Sequence, residues 1–124
     1  MKFITSIHCM DGRIQEPIIR YLKDRYKALY IDTITEPGPC KIITDNTDKT
    51  TINSIIKRTN ISVNKHRSKL IALSSHYDCA GNPFIEKIKK SQIKKSFEIF
   101  KKHYPQIKVI GLWINRRWQV NQYL

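Results

Sequence analysis

A three-layer α/β/α fold with a mainly parallel sheet follows from three features of this 124-residue chain. Short apolar runs recur at 3–8, 28–34, 70–75 and 107–114, with the length and β-branched content of buried strands. Longer segments between them carry apolar residues at three- and four-residue spacing, the period of a helix lying on a sheet. Strand and helix therefore alternate, which calls for parallel strands joined by helical crossovers. The length suits one domain, residues 1–124.

The elements follow in order. Phe3 to His8 reads as a strand ending at Cys9, and Gly12 permits a tight turn after it. Pro17 suits the first turn of a helix, where its missing N–H costs nothing, and Ile18, Ile19, Leu22 and Tyr26 mark one face. Ala28 to Ile34 is the second strand, and Pro37-Gly38-Pro39 predicts a loop. Thr47 or a neighbour caps a second helix carrying Ile52, Ile55 and Ile56 towards His66. Leu70 to Ser75 is the third strand, ending at His76. Asn82-Pro83 predicts the start of a helix running to about Tyr104, with Ile85, Ile88, Phe97, Phe100 and Tyr104 as its apolar stripe. Ile107 to Ile114 is the fourth strand. Asn115-Arg116-Arg117 turns the chain, and Trp118 to Tyr123 returns as an antiparallel edge strand. Right-handed crossovers restrict the strand order to a few choices, of which 2-1-3-4 is the one expected. That order reverses its winding between the first and third strands, where such sheets bind ligands at strand carboxyl ends.

Composition narrows the function. Hydrophobic residues make up 40%, and no apolar run approaches the roughly 20 residues that span a bilayer. The start lacks the apolar core of a signal peptide, so a cytoplasmic protein is expected, with no membrane partner. Three cysteines make a poor disulfide framework. The net charge of +13 comes from basic residues spread along the whole chain, densest from Lys87 to Lys102 at helical spacing. This predicts a solvated helix face, and no nucleic-acid partner is expected.

Two signatures carry the chemistry: Cys9-Met10-Asp11-Gly12-Arg13 and His76-Tyr77-Asp78-Cys79. About 67 residues separate Cys9 from His76, yet the predicted strand order brings both to the same switch point. Two thiolates and one imidazole form a Zn2+ ligand set with one position open, where a water is activated as hydroxide. Asp11 stands close enough to accept a hydrogen bond from that hydroxide, or to close the site as a fourth ligand. Arg13 favours the first role by pairing with the carboxylate.

At these residues the chain resembles the β-class carbonic anhydrases, whose signatures are Cys-x-Asp-x-Arg and His-x-x-Cys. Cys9, Asp11, Arg13, His76 and Cys79 all match. Gly111 to Asn115 resembles the family's last strand and its turn into an edge strand. His76-Tyr77-Asp78-Cys79-Ala80-Gly81-Asn82-Pro83 followed by a Lys-rich helix is similar to a short branch of that family. The resemblance implies zinc held by Cys9, His76 and Cys79, and an Asp11–Arg13 catalytic dyad. It also implies reversible hydration of carbon dioxide to bicarbonate and a homodimer or larger homo-oligomer. Two departures stand out: Ala80 precedes Gly81 after the second cysteine, and Glu36-Pro37-Gly38-Pro39-Cys40 replaces the family's Arg-Asn-Ala-Gly-Asn segment.

The remaining candidates have plainer readings. Cys40 is expected to be an ordinary loop thiol and His8 a packed histidine. His66 and His103 are cations near helix ends, and Trp113 and Trp118 core or subunit contacts. Asp78 is equally a turn residue or a support to the ligands. A cysteine-dependent phosphatase is disfavoured because Gln15 stands where its loop needs arginine. Two alternatives share the zinc site: a noncatalytic zinc-binding protein, and a hydrolase of carbonyl sulfide or carbon disulfide.

Overall fold

The computed structural model describes residues 2–124. The chain runs β1 (Phe3–Cys9), α1 (Gly12–Tyr26), β2 (Tyr30–Glu36), α2 (Pro39–Asp45), α3 (Lys49–Asn64), β3 (Leu70–His76), α4 (Glu86–His103), β4 (Lys108–Ile114) and β5 (Val120–Gln122). The sheet order is β2-β1-β3-β4-β5. The first four strands pair in parallel and β5 closes the edge antiparallel to β4, as the sequence predicts.

The two faces of the sheet carry separate cores. Ile14, Ile18 and Leu22 of α1 pack on Ile4, Ala72, Ile110 and Leu112. On the other face Ile43, Ile55, Ile93 and Phe100, from α2, α3 and α4, pack on Ile7, Ile34, Ile71 and Leu73. Strand β3 is buried along its whole length, as a central parallel strand covered on both faces should be. Its neighbour β1 is buried from Ile4 to Cys9. The ends of these two strands are thereby fixed side by side.

Four local expectations are corrected. Helix α1 starts at Gly12, because the Asp11 carboxylate caps it by accepting the Arg13 N–H at 2.9 Å. Pro17 therefore lies inside the helix, not in its first turn. The loop after β2 is brief: Pro39 opens the seven-residue α2, so Cys40 is helical. Asn82-Pro83 does not start α4. The Asn82 amide turns inward to donate to Gln92 Oε1 at 2.7 Å, and α4 starts at Glu86. Its buried stripe is Lys89, Gln92, Ile93, Ser96 and Phe100, while Ile85 and Ile88 are exposed. Bounds shift elsewhere too. β2 begins at Tyr30 and α3 is capped by Asp48. β5 is confined to three residues, because Trp118 adopts a left-handed turn conformation (φ 60°).

Candidate metal centre

Cys9 ends β1, His76 ends β3, and Cys79 follows in the turn after β3. Their donor atoms all lie within 4.8 Å of one another and all three residues are buried. The two sulfurs are 3.7 Å apart. The His76 Nδ1–H donates to the Tyr77 carbonyl at 2.6 Å, which leaves the Nε2 lone pair free. That Nε2 is buried without a hydrogen-bond partner. An orphaned imidazole nitrogen facing two close sulfurs is the donor arrangement of a cation site, since unpartnered buried polar atoms are costly.

Charge favours the same reading. The two thiols share a hydrogen bond, which holds Cys9 well below the ordinary thiol range and pushes Cys79 up. A cation would take the place of their protons. Backbone N–H groups of Asp11 and Gly38 lie near the Cys9 sulfur and those of Gly81 and Asn82 near the Cys79 sulfur, and each lowers its thiol. The loops that carry Gly38 and Gly81 touch. A Cβ on Gly81 would lie 2.7 Å from the Pro37 carbonyl carbon and oxygen, and one on Gly38 2.9 Å from the Asn82 Cβ. Gly38 also has φ +70°, which glycine adopts without strain.

Asp11 stands at the rim, with Oδ2 4.0 Å from His76 Nε2. Arg13 grips it through Nε to Oδ1 at 3.0 Å and NH2 to Oδ2 at 2.7 Å. These bonds hold the Asp11 carboxyl down at about 2, so it is ionised at any ordinary pH. Arg13 also donates to the Asp78 carbonyl at 2.9 Å and carboxylate at 3.2 Å, and its guanidinium lies 4.5 Å above the Trp118 ring. Asp78 is a turn residue (φ 56°), and its carboxylate pairs with Arg13 rather than with a candidate ligand. Trp118 packs against the core beneath α1 as well as under Arg13, and Trp113 is buried. A cavity of about 570 Å³ opens beside Cys79, walled by Tyr77, Pro83, Phe84, Ile85 and Trp113.

Two positioning residues were not anticipated. Gln15 donates its amide to the Cys9 carbonyl at 2.9 Å and the Asp11 carbonyl at 2.8 Å. With both amide hydrogens committed, its oxygen accepts from His8 Nε2 at 2.8 Å, so the Ser6 hydroxyl donates to His8 Nδ1 at 2.7 Å. That tautomer is neutral, and burial lowers the His8 pKa accordingly. Buried Lys89 donates to the His76 carbonyl at 2.9 Å. Both residues have long polar side chains that read as surface in a sequence. The signal that could have found Lys89 is its place on the inner α4 stripe, four residues before Ile93. Cys40 stays away from the donors: its buried thiol donates to the Ser74 carbonyl at 3.3 Å, and burial pushes it up to about 11. His8 is a packed histidine, as expected.

A family model described as "Putative carbonic anhydrase" matches residues 1–123. The chain belongs to this family. Solved carbonic anhydrases share its fold. One of two tetrameric β-carbonic anhydrases from the filamentous ascomycete Sordaria macrospora superposes with a TM-score of 0.67 at 14% identity. The alignment covers 97% of this chain and 79% of that one. The carbonic anhydrase of Streptococcus mutans gives 0.58 at 14% identity, covering 97% and 81%. No curated protein matches the chain. The carbonic anhydrase fold thus accounts for both the sheet order and the convergence of the two signatures. No helix among the described residues is long and apolar enough to cross a membrane.

Proposed function

We propose that this chain is a zinc enzyme that reversibly hydrates carbon dioxide to bicarbonate, with Cys9, His76 and Cys79 as ligands and Asp11 and Arg13 as the catalytic dyad. The observation that carries the reading is the donor triangle with a clamped carboxylate at its edge. Two sulfurs bound at about 2.3 Å to a tetrahedral zinc stand about 3.8 Å apart, and the observed spacing is 3.7 Å. Three protein donors leave one position open, where zinc lowers the pKa of a water and supplies a nucleophile near neutral pH.

The residues of the chain do the rest. The backbone N–H groups near the two sulfurs favour their thiolate forms. Arg13 occupies Asp11 from one side, holding the carboxylate ionised and away from the ligand position. The free lone pair of Asp11 would accept a hydrogen bond from the O–H of the attacking oxygen and aim that oxygen's lone pair at the substrate carbon. Attack forms the new C–O bond of bicarbonate, and the proton released passes to solvent along the exposed rim. Apolar walls at Pro83, Phe84 and Ile85 suit a small uncharged substrate. Like the tetrameric relative, this chain is proposed to act as a homo-oligomer.

Stopped-flow measurement of carbon dioxide hydration by zinc-loaded protein tests the reading, with Asp11→Ala as control. Turnover above background that falls in the variant supports it. Fully zinc-loaded protein without turnover makes the chain a noncatalytic zinc protein. Sulfide release from carbonyl sulfide without hydration of carbon dioxide reassigns the substrate.

A further inference from the structure

The even spread of basic residues along the sequence does not survive folding. Because β1 to β4 are parallel, their starts share one end of the molecule, opposite the metal centre. The helix C-termini arrive at that same end. Helix α1 and its exit bring Lys23, Arg25 and Lys27; the α3–β3 connection brings Lys65, Arg67 and Lys69. Lys101 and Lys102 finish α4, and Lys2 and Lys108 stand at the starts of β1 and β4. All are exposed. Contacts join the segments: the Lys2 carbonyl accepts from Leu29 and Tyr30, the Lys69 carbonyl from Lys108, and Arg25 and Lys108 both lie over Tyr26. Against these cations stand exposed Asp24 and half-buried Asp32, which is tied to His66 and Ser62.

Cations at helix C-termini are favoured by the helix dipole. That does not explain Lys2, Lys69 and Lys108, which lie outside helices and their caps. An aromatic row crosses the same end. Phe3 stacks on His66 at 4.3 Å and packs against Tyr30 at 5.1 Å, and Tyr30 and His66 are exposed. Stacking rings bordered by cations form a platform for unpaired bases, with phosphates tracking the charges. We infer that this face binds single-stranded nucleic acid without sequence preference, at a surface separate from the metal centre.

Fluorescence anisotropy with a labelled oligothymidine of about 20 nucleotides tests the inference at 50 and 200 mM salt. Binding should weaken steeply with salt, by about 0.7 in logarithmic slope per phosphate contacted. The triple variant Lys27→Gln, Lys65→Gln, Lys69→Gln should lower that slope by about 2. Tyr30→Ala should weaken binding about tenfold and leave the slope unchanged. A control triple on α4, Lys87→Gln, Lys94→Gln, Lys95→Gln, should bind like the parent. Zinc content should be the same in all of them. No binding at 50 mM salt overturns the inference, as does equal loss in the control triple. Duplex binding as tight as single-strand binding and indifferent to Tyr30→Ala overturns it too. Binding to phosphatidylserine vesicles in place of the oligonucleotide assigns the face to membranes and also refutes it.

Discussion

Replacing Gly81 by alanine puts one methyl group where the two ligand loops meet. The new Cβ would stand 2.7 Å from the Pro37 carbonyl carbon and oxygen. Ordinary contact begins near 3.4 Å, so the loops must part by about 0.7 Å. Both partners are backbone and neither can rotate away. That contact adjoins the backbone N–H groups that lie near the sulfurs: Gly38 near Cys9, Gly81 and Asn82 near Cys79. Overpacking of this kind costs about 1–3 kcal/mol, which lowers Tm by roughly 5–15 °C in a domain of this size. Disturbing outer-shell donors weakens metal binding about 10- to 100-fold. Thermal melts, with zinc titrated against a chromophoric chelator, read both quantities. Gly12→Ala is the internal control, because its Cβ meets nothing within 4 Å, and alanine in a first helical turn should be neutral or stabilising by up to about 1 kcal/mol. A Gly81→Ala protein with wild-type melting and zinc affinity would refute the argument that loop contact sets the ligand geometry.

Three further outcomes follow from the same structure. Arg13→Ala should keep its zinc by metal analysis yet hydrate carbon dioxide about 10- to 100-fold more slowly. Its Asp11 pKa should rise from about 2 toward its ordinary 3.8, so activity fails at a higher pH on the acid side; normal turnover would dismiss the dyad. Gln15→Leu removes the side-chain donor from the Cys9 and Asp11 carbonyls and leaves the His8 Nε2–H unpartnered, which should cost about 1–3 kcal/mol in urea unfolding; an unchanged midpoint would remove Gln15 as a support. Cys40 holds its proton more tightly folded, at about 11 against an ordinary 9.0, so its stabilisation is complete below pH 9 and is lost as pH rises through 11. Wild type should lose about 2–3 kcal/mol more than Cys40→Ala over that range, and equal losses would show that the thiol is not the titrating group.

The strand order and the donor set were legible because the informative residues sit where apolar runs stop. Cys9 and His76 each end a buried strand, and alternation with helices leaves few ways to arrange four parallel strands. Proline misled the reading in both directions. Pro39 opens α2 within a segment that looked like loop, while Pro17 and Pro83 suggested helix starts that a carboxylate cap and a buried amide overruled. What stayed hidden depends on tertiary approach. Gly38 reads as a loop glycine and Gly81 only as a departure from the family's spacing, although at Gly81 space rather than dihedral angle forbids a side chain. Gln15 and Lys89 belong to residue types that usually face water. Their role appears only once backbone carbonyls of the ligand loops stand within reach. The basic face was invisible for the same reason: its members are scattered in sequence and meet only because every crossover returns to the same end.

The two sulfurs of the donor triangle are 70 positions apart in the chain. During synthesis Cys9 emerges long before Cys79, and β1 must wait for β3 before the sheet can bring the two together. On the proposed function, ion capture would be a late event that reports finished docking of the amino-terminal third against the rest. That coordination would act as a clasp over the longest-range pairing at the sheet's centre. Chelators should consequently act on the lifetime of the folded state as well as on chemistry.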